Sequence, residues 1–159
     1  MKHIKNLHET EYGTEGEVYF SLFDKFIGLA IKKGATIQFA EQCADLLNNL
    51  NERIIAHLCR ASELYCNDFL SQIGEPEIEF EDRLSVLGKI YPSELIVPKP
   101  NSEVTPVVKM ELNCEWEKEH GMEWVIRHDR VYYVGAYEGC DPYGDFEDND
   151  YWNYAWKAK

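Results

Sequence analysis

Cys114, His120, Cys140 and Asp141 are the side chains best suited to chemistry in this chain. A thiol beside an imidazole can act as nucleophile and base, and His120, oriented by Glu117 or Glu119, could be a general base or a metal ligand. Cys114, however, falls on the apolar side of the alternating run Val108, Met110, Leu112, Cys114 and Trp116, where a thiol stays protonated and inert. The segment therefore also reads as architecture. Gly121 can supply the positive φ of a tight reversal, Glu119 and His120 can bond to turn backbone, and Trp116 can pack on the sheet beside Trp124.

A second chemical set lies near the carboxyl end. Asp141, Asp145, Asp148 and Asp150 could gather around calcium, but their spacing lacks the alternate ligands, central glycine and terminal glutamate of an EF-hand loop. Neither a cofactor nor a metal is expected. These acids are interleaved with Tyr143, Phe146, Tyr151, Trp152, Tyr154 and Trp156, an aromatic content foreign to disordered acidic tails. Such a tail docks on something, either its own sheet edge or a partner. In the partner reading Tyr143, Phe146, Tyr151 and Trp152 are anchors, and Asp145, Asp148 and Asp150 steer a basic surface towards them.

The chain contains no Walker loop, dinucleotide-binding glycine fingerprint, nucleophile elbow or His-Glu-x-x-His motif, so any active site would be assembled from distant positions. Sixteen Lys and Arg are scattered among twenty-nine Asp and Glu, giving a net charge of −13. Counterion release from nucleic acid needs a basic stripe, so nucleic acid is excluded as a direct partner. A signal-like apolar run is missing from Met1 to Asn6, and no stretch of apolar residues is long enough to span a bilayer. The five cysteines (Cys43, Cys59, Cys66, Cys114, Cys140) are odd in number, irregularly spaced and without a Cys-x-x-Cys pair, which suits free thiols in a reducing compartment. A cytoplasmic protein without membrane contact is the expectation.

At 159 residues the chain fits one domain, residues 1–159, burying roughly 70% of its unfolded surface. Residues 17–23 and 26–32 are β-rich runs joined by Asp24-Lys25, which predicts a hairpin. Both runs are apolar on both faces, so something covers each side. Thr36 and Asn51 can cap two amphipathic helices, the first carrying Ile37, Ala40, Cys43, Ala44 and Leu47, the second Ile54, Leu58, Cys59, Ser62, Tyr65, Cys66 and Phe69. An acidic connector follows over 74–82, then a short helix with Leu84, Leu87 and Ile90. Prolines at 92, 98, 100 and 106 enclose Glu94-Leu95-Ile96-Val97, which predicts a short edge strand. From Val107 the alternation is strict, and Met122–Arg127 and Arg130–Gly135 make a further pair around His128-Asp129. The fold class expected is α+β: an antiparallel sheet, built from the N-terminal hairpin and a C-terminal meander, packed on one face by a helical hairpin.

The string from Glu111 to Ile126, with Val134-Gly135-Ala136-Tyr137-Glu138-Gly139 after it, resembles a family of small uncharacterised bacterial domains. These carry a Cys-x-Trp-x-x-Glu-His-Gly turn between strands, here Cys114, Trp116, Glu119, His120 and Gly121. The family has no established activity, and the resemblance implies an accessory protein or an immunity protein of a toxin system. Three functions follow as expectations: a non-enzymatic acidic protein that occludes a basic toxin or enzyme; a metal-binding or enzymatic module around Cys114, His120, Cys140 and Asp141; or a self-associating domain, possible as a homodimer, pointed to by the doubly apolar hairpin from Val18 to Ile31.

Overall fold

The computed structural model describes residues 2–146 and 151–159. Seven strands form one sheet in sequence order: β1 (Ile4–Thr10), β2 (Gly13–Phe20), β3 (Lys25–Lys32), β4 (Ile90–Val97), β5 (Val107–Cys114), β6 (Met122–Arg127) and β7 (Arg130–Ala136). Every neighbouring pair is antiparallel except β3 and β4. Parallel neighbours cannot be joined by a tight turn, and here the crossover is the helical pair α1 (Ile37–Leu47) and α2 (Glu52–Gln72) with the connector behind it.

Both predicted caps are used. Thr36 accepts from the Phe39 N–H at 3.0 Å and Asn51 from the Ile54 N–H at 2.9 Å, so each helix starts with an orphan donor satisfied. Their stripes meet the sheet through Phe39, Ala40, Cys43, Ala44 and Leu47, and through Ile54, Leu58, Cys59, Ala61, Ser62, Tyr65 and Cys66. The sheet answers with Val108, Met110, Leu112 and Cys114 of β5 and Met122, Trp124 and Ile126 of β6, all in one apolar cluster. Each fully buried aliphatic side chain there contributes about 1.5–3 kcal/mol. Ser62 is the polar exception, and it accepts from the Trp124 indole N–H at 3.2 Å.

One expectation is corrected, and one strand is added to those the sequence suggests. Glu94–Val97 is not an edge: it belongs to β4, which sits mid-sheet between β3 and β5. Proline is tolerated there because the β4–β5 register shifts between Pro92 and Glu94, and a bulge is one of the few interior places where a missing N–H does no harm. β1 escaped the sequence reading because Ile4 is its only buried residue, which leaves no apolar alternation along the strand. Its ladder with β2 shifts between Lys5 and His8, and Asn6 there takes φ 57°.

The two faces of the sheet are covered differently. The helices pack on one. On the other, residues 137–146 fold over β5–β7, and a last short helix α3 (Tyr154–Lys157) closes the β7 edge. The Asn153 amide acts there as a substitute strand: its Oδ1 accepts from the Val134 N–H at 3.2 Å and its Nδ2 donates to the Tyr132 carbonyl at 2.7 Å. No helix of the described residues is long and apolar enough to cross a membrane.

Candidate functional site

The Cys114–Gly121 segment forms the turn between β5 and β6. Gly121 takes φ 70°, and a Cβ there would lie 2.7 Å from the Leu112 carbonyl oxygen, so the position needs glycine on two counts. The residue that ties the turn is Glu117, rather than Glu119. Its Oε1 accepts from the Glu119 N–H at 2.9 Å and the His120 N–H at 3.3 Å, and its Oε2 meets the His120 ring at 2.6 Å. The Glu117 carboxylate holds the His120 pKa above its ordinary value. Burial alone would raise the Glu117 carboxyl, but the His120 ring and the two backbone N–H groups together pull it below its ordinary range. Trp116 stacks edge-on against Tyr65 of α2, with ring centroids 5.7 Å apart, and its buried indole N–H has no acceptor among the described residues.

The Cys-His arrangement does not assemble. Cys114 is buried with its Sγ directed to the Glu117 carbonyl at 3.5 Å, and burial pushes its thiol up to about 12. His120 stands out in solvent. Cys140 lies on the opposite face of the sheet, where its N–H bonds to Glu123, and Asp141 is exposed. Among the described residues, His, Cys, Asp and Glu side chains form no group of three or more suited to a metal ion.

The tail divides between two environments. Its first part is latched by Glu123 of β6, a carboxylate with 0% exposure. Glu123 Oε1 accepts from the N–H groups of Glu138 at 3.1 Å, Gly139 at 3.0 Å and Cys140 at 3.3 Å, and Oε2 lies 3.5 Å from the Lys109 ammonium. Lys109 in turn donates to the Cys140 carbonyl, and Arg127 donates to the Pro142 carbonyl at 2.6 Å. Tyr143 and Phe146 are half-buried in this arrangement: the Tyr143 hydroxyl donates to the Thr105 carbonyl at 2.6 Å, and Phe146 lies against Tyr132 and Tyr133. Asp145 is exposed, whereas Asp148 and Asp150 lie outside the described residues. Beyond them Tyr151 and Trp152 form an edge-on pair, 57% and 56% exposed. Trp152 also borders a cavity of about 200 Å³ with Tyr65, Phe69, Tyr154, Glu117 and Glu138.

A feature that the sequence pattern did not suggest lies on the uncovered part of the second face. Strand register aligns Glu17 of β2, Gly28 of β3, Glu94 of β4, Glu111 of β5 and Glu123 of β6 in one row across the sheet. Alternation alone places each carboxylate on a wet face. Only the parallel β3–β4 junction and the Pro92 bulge bring the row into line. Lys109 answers Glu123 and the Asn6 amide answers Glu17, but Glu94 and Glu111 face each other with no ion pair among the described residues. Burial, then the Glu111 charge, raises the Glu94 carboxyl above its ordinary value, with Lys32 opposing. Gly28 is closely approached by β4, for a Cβ there would lie 3.0 Å from the Ser93 carbonyl oxygen and 3.5 Å from both Cγ and Oε2 of Glu94. Exposed Phe26 and Tyr91 and half-buried Tyr19 flank the row, and the Lys5 ammonium sits 3.7 Å from the Phe26 ring centroid. Like charges directly opposite on neighbouring strands destabilise a sheet, and Lys32 is the positive charge that opposes this effect at Glu94.

Residues 3–142 match the family model of a domain of unknown function, DUF6985, and the chain belongs to that family. No curated protein and no solved structure matches it.

Proposed function

We propose that this member of a family without an assigned activity is a non-enzymatic acidic binding module, which grips a basic protein across the second face of its sheet. The observation that carries the reading is the aligned row of Glu17, Glu94 and Glu111, flanked by Phe26 and Tyr91, with Glu94 and Glu111 directly opposite each other at its centre. A lysine or arginine placed between Glu94 and Glu111 would cancel that repulsion, while the rings would pack on its aliphatic stem or on its charge. The net charge of −13 speeds encounter with a basic surface. It also disfavours pairing through this face with a second copy, which would bring two carboxylate rows together.

Occlusion of a basic toxin or enzyme, the action of an immunity-type inhibitor in a bacterial cytosol, is the biological role we assign to such a face. Five free thiols suit that compartment. Exposed Tyr151 and Trp152, with the acidic residues around them, form a second contact area at the β7 edge, and the aromatic cavity beside Trp152 carries that part of the reading.

Chemical-shift mapping with a lysine-rich peptide tests the assignment. Saturable shifts centred on Glu17, Gly28, Phe26, Tyr91, Glu94 and Glu111 are expected. Shifts confined to Tyr151 and Trp152 would transfer the function to the tail, and no saturable shift at low salt would remove the proposal.

A further inference from the structure

The two edges of the sheet are closed to further strands in different ways. The β1 edge carries its protection within the strand: its ladder with β2 shifts between Lys5 and His8, Asn6 takes φ 57°, and Lys5, His8 and Glu9 are spread along it. Irregular backbone and ionisable side chains of this kind keep a foreign strand from pairing. The β7 edge has less of both. Its ladder with β6 shifts once, beside Tyr132, and then runs in regular register from Tyr133 to Ala136, while the stretch from Val131 to Ala136 contains no charged residue and no proline. An uncharged edge rich in β-branched and aromatic residues is a template for another strand, yet no strand lies beyond β7 among the described residues.

Side chains close it instead. The Val134 N–H donates to Asn153 Oδ1 at 3.2 Å, the Tyr132 carbonyl accepts from Asn153 Nδ2 at 2.7 Å, and the Ala136 carbonyl accepts from the Tyr133 hydroxyl at 2.5 Å. One amide thus copies the donor and the acceptor of a neighbouring strand. Asn153 is 2% exposed, and its Oδ1 also caps α3 by accepting from the Ala155 N–H at 3.0 Å. Gly135 admits the chain at this point, for a Cβ there would lie 2.7 Å from the Trp152 carbonyl oxygen. α3 itself spans four residues, and a helix that short has no stability of its own. It is seated by α2: the His57 ring meets the Ala155 carbonyl at 2.6 Å, the Arg60 Nε donates to the Ala158 carbonyl at 3.1 Å, and the Tyr154 hydroxyl donates to Asp68.

We propose that residues 151–159 are a removable guard of the β7 edge: with Asn153 seated the edge is closed, and with its amide withdrawn β7 pairs with β7 of a second copy. The occupant follows from the register. Val134 N–H and the Tyr132 carbonyl both point away from β6, so an antiparallel partner finds outward groups at 132, 134 and 136. A two-fold axis at Val134 sets Val134 opposite itself and the Ala136 N–H opposite the Tyr132 carbonyl of the second copy. The same groups that Asn153 satisfies are then satisfied by backbone, and no like charges meet between Val131 and Ala136. Pairing at this edge leaves the carboxylate row on its own face, so the proposal stands apart from the basic-partner reading.

Two variants of the full chain test it. Asn153→Ser keeps an oxygen to cap α3 but is too short to bridge Val134 and Tyr132. Asn153→Asp keeps both acceptor contacts and loses only the donation to Tyr132. Sedimentation equilibrium and amide hydrogen exchange are compared with wild type over a range of chain concentrations. In Asn153→Ser the mass should rise towards that of two chains with increasing concentration, association being stronger than in wild type by about tenfold or more. Its Val134 and Ala136 amides should exchange quickly when dilute and slowly when concentrated, whereas the wild-type Val134 amide should exchange slowly at every concentration. Asn153→Asp should fall between the two, and it supplies the reading if the serine variant does not fold. Wild-type association in a folded Asn153→Ser, or in Asn153→Asp if that alone folds, would overturn the proposal, as would a dimer whose Val134 and Ala136 amides gain no protection.

Discussion

Glu123→Gln should destabilise the protein by about 3–5 kcal/mol, the cost of breaking a buried ion pair and leaving one charge without its partner. The structure supports a value near the lower bound. Glutamine keeps one carbonyl oxygen for the N–H groups of Glu138, Gly139 and Cys140, but its amino group would face either another donor or the Lys109 ammonium, whose side chain is only 12% exposed. For a domain of this length each kcal/mol shifts Tm by about 2–4 °C, so a loss of 3 kcal/mol corresponds to roughly 6–12 °C. Thermal and urea denaturation followed by circular dichroism measure it, and limited proteolysis should show earlier cleavage within 137–146. Adding Lys109→Met to Glu123→Gln should recover part of the loss, because the stranded charge is removed. A Glu123→Gln protein that melts within about 2 °C of wild type would refute the claim that this carboxylate latches the tail.

Three further outcomes are expected. By NMR, His120 should titrate above 6.5 and His57 below it, and Glu117→Gln should bring His120 back towards 6.5. The folded pKa of His120 is raised, so its contribution to stability is complete below 6.5 and lost as pH rises through the folded value; that of Glu117 is depressed, so its contribution is present above 4.5 and lost as pH falls. The turn should thus be tightest between those limits. All five thiols are raised by burial, Cys43 and Cys66 to about 11 and Cys59, Cys114 and Cys140 to about 12, so alkylation at pH 8 should be slow in the folded protein and complete in urea. Rapid labelling of Cys114 would contradict its placement. Gly121→Ala should cost about 1–3 kcal/mol by denaturant titration, from the positive φ and the approach to the Leu112 carbonyl.

The elements that the sequence revealed are those whose signal is local. Thr36 and Asn51 announce their helices by cap chemistry, and β5 announces itself by alternation, because one wet face and one dry face leave a period of two. Tyr133 shows the limit of that signal. It is buried, but on the tail-covered face rather than under the helices, and a strand buried on both sides carries no mark of which ring goes where. Pro92 pointed to an edge because the bulge that accommodates it depends on β5, far along the chain. The tail divides for a similar reason. Tyr143 and Phe146 turn inward because Glu123, Lys109 and Arg127 offer them a docking surface, while Tyr151 and Trp152 lie past that surface and stay exposed. Glu17, Glu94 and Glu111 are ordinary wet-face residues in their own strands. Their alignment exists only through the crossover that sets β4 beside β3, and no spacing in the sequence reports it.

The central claim is that the carboxylate row keeps its repulsion in order to hold a cation, and a paired measurement on Glu94→Gln/Glu111→Gln tests it most directly. Removing two like charges should raise stability by about 0.2–1 kcal/mol, while binding of a lysine-rich peptide should weaken about tenfold or more and lose much of its salt dependence. A variant that binds the peptide as tightly as wild type, with the same response to salt, would contradict the account.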